Sequence, residues 1–139
     1  MGMRNSAVED FGLVIDEEVG KYMLDKLSKE TGREFDEDDD DVGYMLYEEG
    51  ICEYIPEFTG EVFELNNEGN PMFSSDKTEY YQYDSVFYVP LMKRPSLFKQ
   101  AYVNMEDIIR ELKGRVGKYL PEGFDYRGNL RNISGVYYG

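Results

Sequence analysis

The sequence predicts an α+β domain: a mostly antiparallel sheet of about four to five strands, with two main helices and a short acidic helix. Three observations carry this. Two segments place apolar residues at helical spacing, and one segment after Glu79 alternates with period two. Clusters of Gly, Pro and Asn punctuate the chain between them. The 139 residues suit one domain, 1–139, with 1–10 read as a flexible start.

The first helix is read from "DEEVGKYMLDKLSKETG". Asp16 is a natural N-cap, Glu17 and Glu18 suit the positive end of the helix dipole, and Gly32 suits the C′ position. Val19, Tyr22, Met23 and Leu27 form its apolar stripe. Asp41 then caps a short helix through Val42, Met45, Leu46 and Tyr47, which Gly50 ends. "EYIPEFTG" reads as a connection or edge because Pro56 and Gly60 interrupt it. "GEVFELNNEGNPMFSS" reads as strand, turn, strand, with the turn at Asn66–Asn70. "EYYQYDSVFYVPLM" is the clearest strand. Tyr81, Tyr83, Phe87, Val89 and Leu91 fall on one face, and Tyr80, Gln82, Asp84, Val86 and Tyr88 on the other. After a basic connection, Asn104 caps a second long helix whose stripe is Met105, Ile108, Ile109, Leu112, Val116, Tyr119 and Leu120. Pro121 and Gly123 stop it, and the C-terminal residues read as a last strand or hairpin.

Absences narrow the chemistry. There is no histidine and one cysteine, Cys52. A Ser-His or Cys-His nucleophile pair is therefore excluded, as is a His-containing or all-thiolate zinc site. One thiol makes no internal disulfide, which fits a reducing cytosol. Glu53 beside Cys52 raises rather than lowers the thiol pKa. There is no Walker A sequence and no G-x-G-x-x-G. "MGMRNS" fits the myristoylation pattern, and reads more simply as a Met-Gly cloning remnant ahead of Met3. No apolar run reaches the ~20 residues of a membrane span. We expect a cytoplasmic protein that is not an enzyme and has no cofactor.

Charge is the informative feature. The net charge is −14, but residues 1–70 carry −16 and residues 71–139 carry +2. The window Glu30–Glu68 holds 15 acids against one base, Arg33. Direct nucleic-acid binding is disfavoured, since phosphate contacts need Lys and Arg, whereas a basic partner is natural. Glu49, Glu53, Glu57 and Glu61 recur every four residues. Carboxylates spaced about 6 Å apart on one face of a helix or strand can imitate a row of phosphates.

The run Asp36–Asp41 also matches part of an EF-hand loop. With Gly43 at position 6, Asp38, Asp40 and Glu49 take positions 1, 3 and 12. Val42 at position 5 cannot ligate through its side chain, so at most a loosely held Ca²⁺ or Mg²⁺ is expected at Asp38, Asp40 and Glu49.

In size, charge and the mixing of tyrosines with acids, the chain resembles the small acidic proteins of phages and mobile elements that block restriction or CRISPR nucleases. The resemblance rests on no diagnostic motif. It implies an inhibitor or adaptor that occupies a basic, nucleic-acid-binding protein surface. The candidate partner-binding residues are Asp36, Glu37, Asp38, Asp39, Asp40, Asp41, Tyr44, Tyr47, Glu48, Glu49, Glu53, Tyr54 and Glu57. Other readings are an immunity protein that neutralises a toxin, a histidine-free enzyme or small-ligand binder, and a structural mobile-element protein.

Overall fold

The computed structural model describes residues 5–35, 41–67, 69–91 and 105–138. The α+β class holds, but the sheet does not stay open. Four antiparallel strands close into a barrel in the order β1-β3-β2-β4: β1 (Asn5–Val14), β2 (Glu53–Glu64), β3 (Glu79–Pro90) and β4 (Leu130–Tyr138). Helices α1 (Glu17–Thr31), α2 (Val42–Glu48), α3 (Met105–Val116) and the single turn α4 (Tyr126–Asn129) complete the described chain.

β1 is the element the sequence reading lacks. Residues 5–10, expected as part of a flexible start, pair with β4 along the strand, from Asn5 opposite Tyr138 to Leu13 opposite Leu130. β1 then meets β3 from Gly12 opposite Pro90 to Val14 opposite Tyr88, and that short contact closes the barrel. The expected strand around Met72 and Phe73 is absent. Turns occupy this stretch, beyond one isolated bridge between Leu65 and Pro71. The turn at Asn66 forms as expected: the Asn70 N–H donates to Asn66 Oδ1 at 3.0 Å, and Gly69 takes a φ of 83°.

Two bulges shape the barrel. Pro56 does not end a strand; it lies inside β2, where the pairing with β3 slips between Ile55 and Phe58. A bulge lets a strand accommodate a residue that cannot donate to the ladder. The register slips back between Phe58 and Gly60, opposite Tyr83. Tyr83 has φ 54°, the one positive φ outside glycine among the described residues, and its N–H is drawn to Thr59 Oγ1 at 2.9 Å. This bulge overturns the face assignment along β3. Tyr81 packs with Val86 and Tyr88, two even-numbered positions, instead of with Phe87 and Val89.

The bulges sort the apolar residues into two cores. Phe58, Val62, Val86, Tyr88 and Ile133, with Val8 and Val14, come from all four strands and fill the barrel. Phe11, Leu13, Leu65, Val89, Leu91 and Leu130 lie on its outer side and bury Met23, Leu24 and Leu27 of α1 and Ile108, Leu112 and Val116 of α3. The helix stripes form as read at Met23, Leu27, Met105, Ile108, Leu112 and Val116, but Tyr22 is exposed, and Tyr119 and Leu120 lie beyond the end of α3, in and after a 3₁₀ turn. Asp16 caps α1 by accepting from the Val19 N–H at 2.8 Å, and Gly32 ends it at φ 74°. The proposed cap Asn104 lies outside the described residues. Inside the barrel the Tyr88 hydroxyl donates to Asp10 at 2.7 Å, across 78 positions of sequence. Gly12 leaves room for the Tyr88 ring, which an added Cβ would overlap.

One buried side chain is mismatched. Asn132 is fully buried on β4, opposite Phe11 and Phe63, and neither amide atom has a hydrogen-bond partner among the described residues. An unsatisfied buried polar group costs about 1–3 kcal/mol. Asn132→Leu, which keeps the branched shape, is expected to stabilise the fold by about that amount. A denaturant titration in which the midpoint falls would show that the amide does bond in solution.

Candidate functional site

Asp36, Glu37, Asp38, Asp39 and Asp40 lie outside the described residues, so the acidic field is seen from Asp41 onward. Asp41 precedes α2 as expected, but its side chain does not cap the helix. It accepts instead from the Tyr54 hydroxyl at 3.2 Å, tying the start of α2 to β2. α2 buries Val42, Gly43 and Leu46. Gly43 is required there because an added Cβ would fall 2.5 Å from the Phe87 ring and 2.8 Å from the Tyr54 ring.

With that face buried, α2 turns Tyr44, Tyr47 and Glu48 outward. Tyr44 is 45% exposed and Tyr47 49%. The Tyr44 ring centroid stands 6.2 Å from Tyr47 and 6.1 Å from Tyr54, the latter edge to face at 72°. A hydrogen bond to the Glu48 carboxylate raises the Tyr44 pKa. Burial, followed by the Asp41 charge, raises that of Tyr54. The five residues Asp41, Tyr44, Tyr47, Glu48 and Tyr54 thus form one surface from two elements, with each carboxylate beside a phenol.

The remaining expected residues do not join it as one row. Glu49 pairs with Arg33, and its side chain is only 13% exposed, so its charge is taken up within the chain. Glu49 is the loop-end carboxylate of the expected Ca²⁺ or Mg²⁺ site; the other two expected ligands, Asp38 and Asp40, lie outside the described residues. Among the described residues, no group of three or more His, Cys, Asp or Glu could hold a metal ion. Glu53 and Glu57 are exposed on β2. The bulge leaves Glu53 in phase with barrel-facing Ile55, but Glu61 out of phase with barrel-facing Phe58 and Val62. The four-residue spacing therefore does not produce a continuous carboxylate row.

Sequence reasoning missed the residues beside this surface. A cleft of about 240 Å³ runs between the start of α1, the start of α2 and β3, lined in part by Asp16, Glu17, Asp41, Tyr54, Tyr81 and Ser85. Asp16 and Glu17 read only as helix-cap residues, and Asp16 does cap α1. Nothing in the local sequence signals that they lie beside Asp41.

Cys52 is 4% exposed, and burial, followed by the Glu53 charge, pushes its thiol up to about 12. Burial likewise pushes Tyr81 up to about 12 and raises Tyr88 beyond the normal phenol range. The protonated forms are favoured by folding. Their stabilisation is full below the unfolded pKa, near 9 for the thiol, and is lost as pH rises toward the folded values. Stability is expected to fall above about pH 9, as the unfolded thiol ionises, by up to about 1.4 kcal/mol per pH unit, and further above about pH 10 as the unfolded phenols follow, with a smaller share from the partly exposed Tyr81. A flat thermal midpoint between pH 8 and pH 11 would contradict this (roughly the window these shifts set). Native Cys52 should also react with iodoacetamide far more slowly than the unfolded chain at pH 8, a pH at which only about a tenth or more of a free thiol is ionised.

No described helix is long and apolar enough to cross a membrane. No family model matches the chain, and neither a curated protein nor a solved structure matches it.

Proposed function

We propose that this chain is a small acidic inhibitor or adaptor that binds a basic surface of another protein, in its most concrete form the nucleic-acid groove of a nuclease. The supporting observation is the surface of Asp41, Tyr44, Tyr47, Glu48 and Tyr54, where two exposed rings and a half-buried one stand beside two carboxylates. Carboxylates attract the Arg and Lys side chains that normally meet phosphates, and tyrosines add contact area at low entropic cost. The mechanism is occlusion: the partner's groove is filled, and no bond is made or broken.

The test is a binding titration against captured partner proteins over a range of salt. The variant Asp41→Asn/Glu48→Gln/Glu53→Gln/Glu57→Gln is expected to lose about tenfold or more in affinity at low salt, mainly through slower association, and to depend less on salt. The partner should also release nucleic acid when the wild-type chain binds. Equal binding by wild type and variant across the titration would overturn the reading.

A further inference from the structure

We infer that the tyrosine-bearing face of α2 selects arginine over lysine, so that its partner presents an arginine-rich segment. This rests on the reading of a basic partner above and names the side chain that reading leaves open. The first observation concerns the rings. The Tyr44 ring stands about 6 Å from both Tyr47 and Tyr54, and Tyr44 and Tyr47 are half exposed. The second concerns the chain's own cations. Elsewhere, tyrosine rings carry internal partners: Lys26 over Tyr22, Lys113 over Tyr126 and Lys118 over Tyr119. Among the described residues, no such cation covers the three rings of this face. The third is that the carboxylates sit at ring edges, Asp41 at Tyr54 and Glu48 at Tyr44.

A face that offers a ring and a carboxylate side by side fits a guanidinium better than an ammonium. The planar guanidinium stacks on a ring while its edge donates two parallel hydrogen bonds to a carboxylate. An ammonium is a more strongly hydrated point charge, and it satisfies the carboxylate while gaining less from the ring. The charge of the surface sets the sign of the partner, and the placement of its rings sets the side chain.

Two synthetic peptides of equal length and charge, one alternating Arg with Gly and the other Lys with Gly, are titrated against the full chain by calorimetry at low salt. The arginine peptide is expected to bind about tenfold more tightly, equivalent to about 1.4 kcal/mol. Tyr44→Leu/Tyr47→Leu should bring the arginine peptide down to the lysine level and weaken lysine binding by much less. Tyr44→Phe/Tyr47→Phe, which keeps the rings, should retain the preference. Circular dichroism checks that each variant is folded. Equal affinity of the two peptides for the wild type would overturn the arginine assignment and leave the basic-partner reading standing. So would an arginine preference that survives the leucine variant. Failure of both peptides to bind would overturn both.

Discussion

Phe58→Ala is expected to destabilise the protein by about 3–5 kcal/mol in a denaturant titration. The ring is fully buried at the centre of the barrel and meets Tyr81 edge to face at 5.7 Å. It also covers two glycines, since a Cβ built on Gly60 or Gly135 falls 2.8 Å from the ring edge. Nothing can move in to replace it, because the four strands around it are tied to one another in a closed cycle. The loss therefore combines the transfer term with a cavity term. Total stabilities of domains are about 5–15 kcal/mol, so the variant should be close to unfolding. Phe58→Leu keeps more of the apolar volume and should cost less. A loss below about 1 kcal/mol for alanine would mean that the ring does not fill a closed barrel.

Gly135→Ala is the second large effect. Gly60 and Gly135 are register partners on β2 and β4. A Cβ on Gly135 would overlap the Thr59 carbonyl oxygen and fall 2.7 Å from the Gly60 Cα. The obstructing atoms are backbone, so no rotamer change relieves the clash and the strands must part. A loss of about 3 kcal/mol, at the upper end for overpacking, is expected. Gly60→Ala meets the same obstacle from the other strand. Once one alanine has separated the strands, the second costs less, so the double variant should lose less than the sum of the singles. Additive losses would show that the two glycines do not share one close approach.

Much of the helical structure was legible because its signals are local. Asp16, Gly32 and the stripe through Met23 and Leu27 all lie within one segment, and each acts where it was placed. The same holds for Met105, Ile108, Leu112 and Val116 of α3, and for the turn at Asn66. β1 was hidden because "NSAVEDFGLV" has a charge and a glycine on its barrel-facing positions. Asp10 is tolerated there by the Tyr88 hydroxyl, and Gly12 by the Tyr88 ring. Both partners are remote in sequence. The period-two reading of β3 failed at Tyr83, where a bulge that depends on pairing with β2 shifts the phase by one residue.

The candidate site divides in the same way. The acidic window and its tyrosines were read from composition. Their assembly was not, since it depends on Tyr54 of β2 reaching Asp41 and on Gly43 pressing α2 against Phe87. Arg33, the one base in the window, pairs with Glu49, sixteen positions away, and no spacing rule predicts that choice.

By itself the sequence determined the α+β class, the two long helices, the strong strand and the concentration of negative charge in the first half of the chain. These follow from residue type and from periods of two and 3.6 residues, which operate within a few positions. The tertiary structure alone decided that the sheet closes, that its phase slips at Pro56 and Tyr83, and that two carboxylates stand beside three tyrosine rings. Each of those depends on strand pairing and side-chain contact between distant segments, where the free energy of packing outweighs local preference.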